Sequence, residues 1–101
     1  MVTKGVERLR DLQRATCESV VNGPGSTDAA VRRKVAMGQP PVDLAVLVQK
    51  VRDHAYRVTD RDVDALRAHY SEDQLFELIV AAAIGAARDR LDAALAAVEG
   101  A

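Results

Sequence analysis

The sequence has few aromatic residues and almost none of the cysteines that stabilise small secreted domains. Aromatic residues make up 3% of its 101 positions, with one phenylalanine, two tyrosines and no tryptophan. The single cysteine cannot form an internal disulfide, so the simplest expected location is the reducing cytoplasm. The core must therefore be built from leucine, valine, isoleucine and alanine, and the length suits one domain over residues 1–101.

The sequence also lacks a charge excess and a long apolar run. Fourteen basic and 15 acidic residues leave a formal charge of -1, which provides no strong field for nucleic acid or anionic lipid. The longest apolar run, "LIVAAAIGAA", is about half of the roughly 20 residues that span a bilayer. The beginning, "MVTKGVERLRD", contains no apolar signal core. We therefore expect neither a nucleic-acid nor a membrane partner.

Apolar residues recur at helical spacing, and no segment alternates as a strand would. This pattern predicts an all-α, compact bundle of about five helices. The first helix is predicted over about Thr3–Asn22, and a glycine- and proline-rich stretch ends it. Ser26 or Thr27 is predicted to cap a second helix, "DAAVRRKVAM", which Gly38 ends.

The third helix has the clearest apolar stripe in the chain. It should begin near Pro41, because proline is tolerated in the first turn of a helix. Its stripe consists of Leu44, Leu47, Val48, Val51, Ala55 and Val58. Thr59 is predicted to end this helix and to cap a fourth helix over about Asp60–His69, with Asp62 completing a capping box.

The last helix, predicted over Glu72 to about Val98, has the strongest start signal. In the preceding "SEDQ" turn, the Ser71 hydroxyl can accept from the amide of Gln74 while the Gln74 side chain reaches back. The helix is long and apolar on nearly every face, so it has to be covered on every face. Its alanines and Gly85 allow another backbone to come close.

We therefore predict a homo-oligomer with this helix at or near the subunit interface. The candidate interface residues are Phe76, Ile79, Ala83, Gly85 and Arg90. Burial of the helix at the centre of a monomer is the alternative. Arg90 in particular fits a solvated, mixed-charge face, or else an anchor for an interface or an anionic ligand.

Several local motifs follow one another between His54 and Leu95. They are a capped short helix of the form "VTD-D--AL", the "SEDQ" turn, and a long alanine-rich helix that ends in the Arg-Leu pair at 90–91. In this order they resemble the C-terminal part of the carboxymuconolactone decarboxylase family. The resemblance implies the alkylhydroperoxidase D-like all-helical fold, and an oligomer, since members of that family commonly assemble.

The peroxidase members of that family carry a Cys-x-x-Cys-x-x-x-His signature with a nearby glutamate. Here the only cysteine lies in "ATCESVV", and Val20 and Pro24 stand at the positions of the second cysteine and the histidine. The resemblance therefore implies a relative without the dithiol site. We predict a non-catalytic oligomeric binding or structural module of unknown role with no cofactor, and the sequence does not indicate whether it binds a small molecule. The alternative is a small decarboxylase or isomerase that uses His54 or Glu77 as acid or base.

The remaining candidates each have a structural and a functional interpretation. Cys17 is expected to be a small buried hydrophobe, with a reactive antioxidant thiol as the alternative. His54 and His69 lack the spacing of a helical metal pair, so we predict no metal site. Glu77 is expected to face solvent near the start of its helix, where the dipole favours it. Its alternatives are a pocket carboxylate and a pair with an arginine of a second subunit.

Overall fold

The computed structural model describes residues 4–100, and the predicted start at Thr3 lies outside them. Within these residues the chain is all-helical, as predicted, and the α-helices are α1 (Lys4–Asn22), α2 (Ala29–Ala36), α3 (Ala45–His54), α4 (Asp60–Asp64) and α5 (Glu72–Gly100). Short 3₁₀ turns precede and follow α3, at Val42–Leu44 and Ala55–Arg57. The molecule measures 50 × 28 × 18 Å, and the 29 residues of α5 alone span about 43 Å.

The central element is α5, because α1, α2 and α3 all pack against it. Helix α1 runs antiparallel to the C-terminal half of α5. Near the start of α1, Arg10 pairs with Glu99 at 2.8 Å, and one turn later Gln13 donates to Asp92 at 3.1 Å. In the part of the chain that the structure describes, no helix combines the length and the apolar character that crossing a bilayer requires.

The core lies where α2, α3 and the turns around α4 meet the first half of α5. Its buried members are Val35, Leu44, Leu47, Val48, Val51, Leu66, Leu75, Leu78, Ala81 and Ala82. The first four residues of the stripe predicted for α3 are among them. The prediction is wrong at Ala55, which is exposed, because α3 ends at His54. The 3₁₀ turn that follows advances about 120° per residue, so it carries Ala55 off the stripe, while Val58 stays half-buried against the core.

Both predicted capping boxes form. The hydroxyl of Thr59 accepts from the amide of Asp62 at 3.3 Å, and the Asp62 carboxylate accepts from the amide of Thr59 at 2.9 Å. At the start of α5, the Ser71 hydroxyl accepts from the amide of Gln74 at 3.1 Å, and the Gln74 side-chain oxygen accepts from the amide of Ser71 at 2.9 Å. Each box satisfies two backbone donors that the first turn of a helix leaves without partners.

The limits of α2 differ partly from the prediction. Asp28, rather than Ser26 or Thr27, caps the helix, and its side chain accepts from the amide of Ala30 at 2.9 Å. Thr27 is not available as a cap because its amide and hydroxyl are bound elsewhere, by a carboxylate described below. Gly38 follows the end of α2 as predicted, with a φ of 77° that glycine adopts without strain.

Helix α4 is shorter than predicted and ends at Asp64 instead of His69. After it, the amide of Leu66 donates to the carbonyl of Val63, and the amide of His69 donates to the carbonyl of Leu66, each at 3.0 Å. Bonds between residues three apart tighten the chain beyond an α-helix. This tightening ends the helix early and turns Leu66 into the core.

Helix α2 approaches α5 very closely at Gly85. A Cβ at this position would lie 2.6 Å from the carbonyl carbon of Ala36, which is closer than real Cβ atoms come to a backbone. The prediction of a close backbone contact at Gly85 is therefore confirmed, but the contacting backbone belongs to the same chain. Gly85 is buried there and is not on a surface that a second subunit could reach.

Replacing Gly85 with alanine should destabilise the protein by about 2 kcal/mol. Overpacking costs about 1–3 kcal/mol, which exceeds the gain of up to about 1 kcal/mol from the better helix propensity of alanine. Urea denaturation followed by circular dichroism measures the difference. Gly100→Ala is the matched control, because a Cβ at Gly100 has no neighbour within 4 Å. Equal stabilities of the two variants would contradict the close contact.

Candidate functional site

The carboxylate of Glu77 binds the loop between α1 and α2. Its Oε1 accepts from the amide of Ser26 at 2.6 Å, and its Oε2 accepts from the amide and the hydroxyl of Thr27 at 2.8 and 2.9 Å. Glu77 is half-buried in the second turn of α5. The expectation of a solvated side chain is therefore wrong, because the carboxylate is needed to bind backbone amides of its own chain.

Arg32 binds the same loop through the opposite kind of group. Its side chain is buried, and its guanidinium donates to the carbonyl of Val20 at 2.9 Å and to that of Gly23 at 2.5 Å. A buried charge is costly unless hydrogen bonds replace its water. Glu77 thus binds amides of the loop, and Arg32 binds one carbonyl in the loop and one at the end of α1. We call Arg32, Glu77 and loop residues 23–27 the loop clamp.

The surroundings of Glu77 keep it ionised. The hydrogen bond from the Ser26 amide is the largest cause that lowers the pKa of Glu77 below its ordinary value. Partial burial acts in the opposite direction, and the Thr27 hydrogen bonds and the charge of Arg32 lower the pKa further. A general base works best with a pKa near the operating pH and a free oxygen. Glu77 has neither, so the geometry assigns it to the clamp.

The two histidines are exposed, His54 at the end of α3 and His69 in the turns before α5. The His54 ring makes an edge-to-face contact with Tyr56, with ring centroids 5.7 Å apart. Among the depressions of the described surface are four of about 170 to 460 Å³, and none of these four is lined by His54, His69 or Glu77. Over residues 4–100, no three or more His, Cys, Asp or Glu side chains gather closely enough to hold a metal ion.

Cys17 is half-buried and opens onto a depression on each side of α1. One depression is a cleft of about 460 Å³ between α1, α2 and α5, which we call the arginine cleft after the arginines that line it, Arg10, Arg14, Arg33 and Arg88. The other, the apolar groove, is about 270 Å³ and lies between α1 and α5. The predicted burial of Cys17 is therefore only partial.

Helix α5 carries two apolar faces on opposite sides. At about 100° per residue, the buried residues of its first half form an inner face, made of Leu75, Leu78, Ala81, Ala82, Gly85 and Ala86. The opposite outer face lies within an arc of about 100° and consists of Phe76, Val80, Ala83, Ile84, Ala87, Leu91, Ala94 and Val98. Phe76 is 69% exposed and Val98 64% exposed, so the outer face is uncovered at both ends.

The interface candidates divide between these faces. Phe76 and Ala83 are exposed on the outer face, as an interface requires. Ile79 is half-buried against the core. Arg90 donates to the main-chain carbonyl of Arg52, so it joins α5 to α3 within the chain. With Gly85 covered by α2, the surface available to a partner is the outer face and not the whole set predicted from the sequence.

Sequence reasoning missed Arg32, although its position carried a signal. Arg32 stands three and four residues before Val35 and Ala36, which are both buried on the inner side of α2. That spacing places Arg32 on the apolar face of its helix, where a charged residue requires hydrogen-bond partners. The partners themselves are carbonyls at the end of α1 and in the glycine-rich loop, and they leave no pattern in the sequence.

Comparisons of the chain with protein-family models, with curated proteins and with solved structures find no match. The functional conclusion therefore rests on the residues and surfaces of this chain.

Replacing Glu77 with glutamine should lower the free energy of unfolding by about 1–2 kcal/mol at pH 7, because hydrogen bonds to a charged acceptor are stronger and an amide NH₂ would face a donor. Since the folded-state pKa of Glu77 is lowered, its contribution exists above the unfolded pKa and disappears as pH falls through the folded pKa. Denaturation curves from pH 7 to 3 should therefore converge for the wild type and Glu77→Gln.

The matched control is Glu7→Gln, at an exposed glutamate in the first turn of α1, which should change stability by less than about 0.5 kcal/mol. The pKa of Asp62 is also lowered, and its hydrogen bond with Lys50 is the largest cause. Because Asp62 is present in the wild type and in both variants, only the difference between their stability curves reports on Glu77. A stability gap that stays constant with pH would contradict the clamp.

Proposed function

We propose that this chain is a carboxymuconolactone decarboxylase-like helical protein that acts as a non-catalytic homo-oligomeric module. The uncovered outer face of α5 is the observation that carries the proposal. An apolar helix face is stable in water only when something covers it. In this chain α1, α2 and α3 cover other parts of α5 and leave the outer face open.

The total surface of the chain agrees with an uncovered face. Its accessible area is 6647 Å², whereas a compact monomer of its mass would expose roughly 5,600 Å². Next to the outer face, Leu9 and Leu12 of α1 are 48% and 59% exposed. The apolar groove lies between α1 and the outer face. Burying the groove against a second copy would remove much of the accessible area that exceeds the value for a compact monomer.

The outer face is complementary to itself. If two copies pack with α5 antiparallel and Ala87 at the two-fold axis, each residue lies opposite the one whose number, added to its own, gives about 174. Of the outer face, only Ile84 then lies opposite a residue outside the face, Arg90. Phe76 then lies opposite Val98, Val80 opposite Ala94, and Ala83 opposite Leu91. In the latter two pairs a large side chain meets a small one. A two-fold interface needs this self-complementarity, so a second copy of the chain fits the face.

The family part of the proposal is supported by the local structure of the resembling segment. The capping boxes at Thr59 and Ser71 form, and a long alanine-rich helix follows the second of them. The non-catalytic part is supported by the sequence, since Cys17 has no second cysteine to resolve an oxidised thiol. The single cysteine also fits a reducing compartment, and we propose the cytoplasm.

The alternative of a decarboxylase or isomerase that uses His54 or Glu77 receives no support from the geometry. Such an enzyme needs a pocket with the acid or base at its wall. His54 is exposed beside Tyr56, and Glu77 has both carboxylate oxygens bound by Ser26 and Thr27.

Light scattering coupled to size exclusion should give a dimer for the wild type and a monomer for Ala87→Glu. The new carboxylate would be buried without a partner, and the several kcal/mol that this costs correspond to a dissociation constant raised about 100-fold or more. Ala93→Glu is the matched control, because Ala93 is also exposed on α5 but lies off the outer face. A monomeric wild type, or equal effects of both variants, would refute self-association through this face.

Cross-linking should establish the antiparallel register. In a Cys17→Ser background, oxidation of Ala87→Cys should give a disulfide dimer, because the two copies of position 87 meet at the axis. Ala83→Cys and Ala94→Cys should not cross-link, because the two copies of position 83 lie about 12 Å apart along the helix axis and those of position 94 about 21 Å apart. Efficient cross-linking at all three positions would indicate a parallel pair and refute the register.

A further inference from the structure

The arginine cleft has the wall and the floor of a binding site for a small anion. Its volume of about 460 Å³ is in the range of small-molecule sites. Four arginines and two carboxylates, Glu18 and Asp92, line it, which leaves a net charge of +2 in a chain whose formal charge is -1. The floor is apolar, with Val21 and Ala36 buried beneath it.

The arginines of the cleft differ in how closely their guanidinium groups are bound by other side chains of the chain. Arg10 pairs with Glu99 at 2.8 Å, and Arg33 donates to the side-chain oxygen of Asn22 at 2.8 Å. The ion pairs described for Arg14 and Arg88 are longer, at 3.6 Å to Asp11 and 3.7 Å to Asp89. Both distances exceed that of a good hydrogen bond, so these two guanidinium groups keep donors for a ligand.

We propose that the arginine cleft binds a small organic anion, whose carboxylate or phosphate group pairs with Arg14 and Arg88 while its apolar body lies over Val21 and Ala36. Guanidinium groups match the planar geometry of carboxylate and phosphate oxygens. This extends the proposed non-catalytic function, because of the two expectations from the sequence, a binding or a structural module, it favours a binding module and assigns its ligand class. Arg14, Arg33 and Asp92 line the cleft but not the apolar groove, so this part of the cleft stays open when a second copy covers the groove, which Arg88 also lines.

Cys17 makes the cleft measurable, because it lines the cleft and is the only thiol in the chain. Two reagents would be compared on the native protein: dithiobis(2-nitrobenzoate), which carries two carboxylates, and the neutral 4,4′-dithiodipyridine. In each reaction the Cys17 thiolate attacks one sulfur of the reagent, a protein–reagent disulfide forms and the reagent disulfide breaks. The leaving group is a coloured nitrothiobenzoate from the first reagent, and from the second a thiolate that takes up a proton to give ultraviolet-absorbing 4-thiopyridone. The ratio of the two rate constants reports how strongly the surroundings of Cys17 attract an anion, and Arg14→Gln assigns that attraction to the cleft, because Arg14 lines the cleft and not the apolar groove.

We expect the native ratio of anionic to neutral rate to exceed that of the urea-unfolded chain by about tenfold or more, and to fall with added salt. Arg88→Gln and Arg14→Gln should each return it toward the unfolded value. The matched control is Arg61→Gln on α4, which removes the same charge away from the cleft and should leave the ratio unchanged. Arg14 is largely exposed, so its variant keeps the test valid if Arg88→Gln alters the fold.

Protection of Cys17 from the neutral reagent identifies the ligand chemistry. Benzoate and phenyl phosphate separate the carboxylate from the phosphate group, and inorganic phosphate tests whether the apolar body is needed. Protection by one of the organic anions, lost in Arg88→Gln, supports the proposal. Equal ratios in Arg88→Gln and Arg61→Gln, no protection by any anion, or no labelling of native Cys17 by either reagent would overturn it. Light scattering reads self-association separately, so failure of one proposal does not imply failure of the other.

Discussion

The close contact between α2 and α5 at Gly85 is the constraint on which the rest of the structure depends. Because no side chain stands between Gly85 and Ala36, α2 lies directly on the inner face of α5. Arg52 of α3 donates to the carbonyl of Ala36 at 2.5 Å and pairs with Asp89 of α5, so the end of α2 also positions α3. The absence of a Cβ at Gly85 therefore allows α2, α3 and α5 to meet at the carbonyl of Ala36.

The loop clamp follows from the same contact. With α2 held on α5, the loop that enters α2 passes the second turn of α5, where Glu77 binds its amides. Arg32 lies on the buried side of α2, and its guanidinium donates to the carbonyls of Val20 in α1 and Gly23 in the loop. Glu77, a candidate acid or base from the sequence, and Arg32 thus satisfy backbone groups of the glycine-rich loop and of the end of α1.

The two apolar faces of α5 explain why its first half carries apolar residues on opposite sides in a chain that is 29% charged. The inner face is covered by α2 and α3, whereas α1 covers the outer face only in part, leaving Phe76, Ala83, Ala87, Ala94 and Val98 exposed. The proposed self-association would use the exposed part of this face, and the arginine cleft opens on the other side of α1. Cys17 and Arg88 line both depressions, so the proposed assembly surface and the proposed ligand site adjoin each other.

Local patterns alone determined the helical class, the two capping boxes and the stripe from Leu44 to Val51, because each depends on residues three or four apart. The same patterns predicted helices that extend too far, to Ala55 in α3 and to His69 in α4, because hydrogen bonds between residues three apart change the rotation per residue there. Only the tertiary structure decided that Gly85 faces α2, that Glu77 binds a loop about 50 residues away, and that Cys17 opens onto the arginine cleft. These contacts join distant parts of the chain, and no periodicity within a helix records which of its faces another helix will cover.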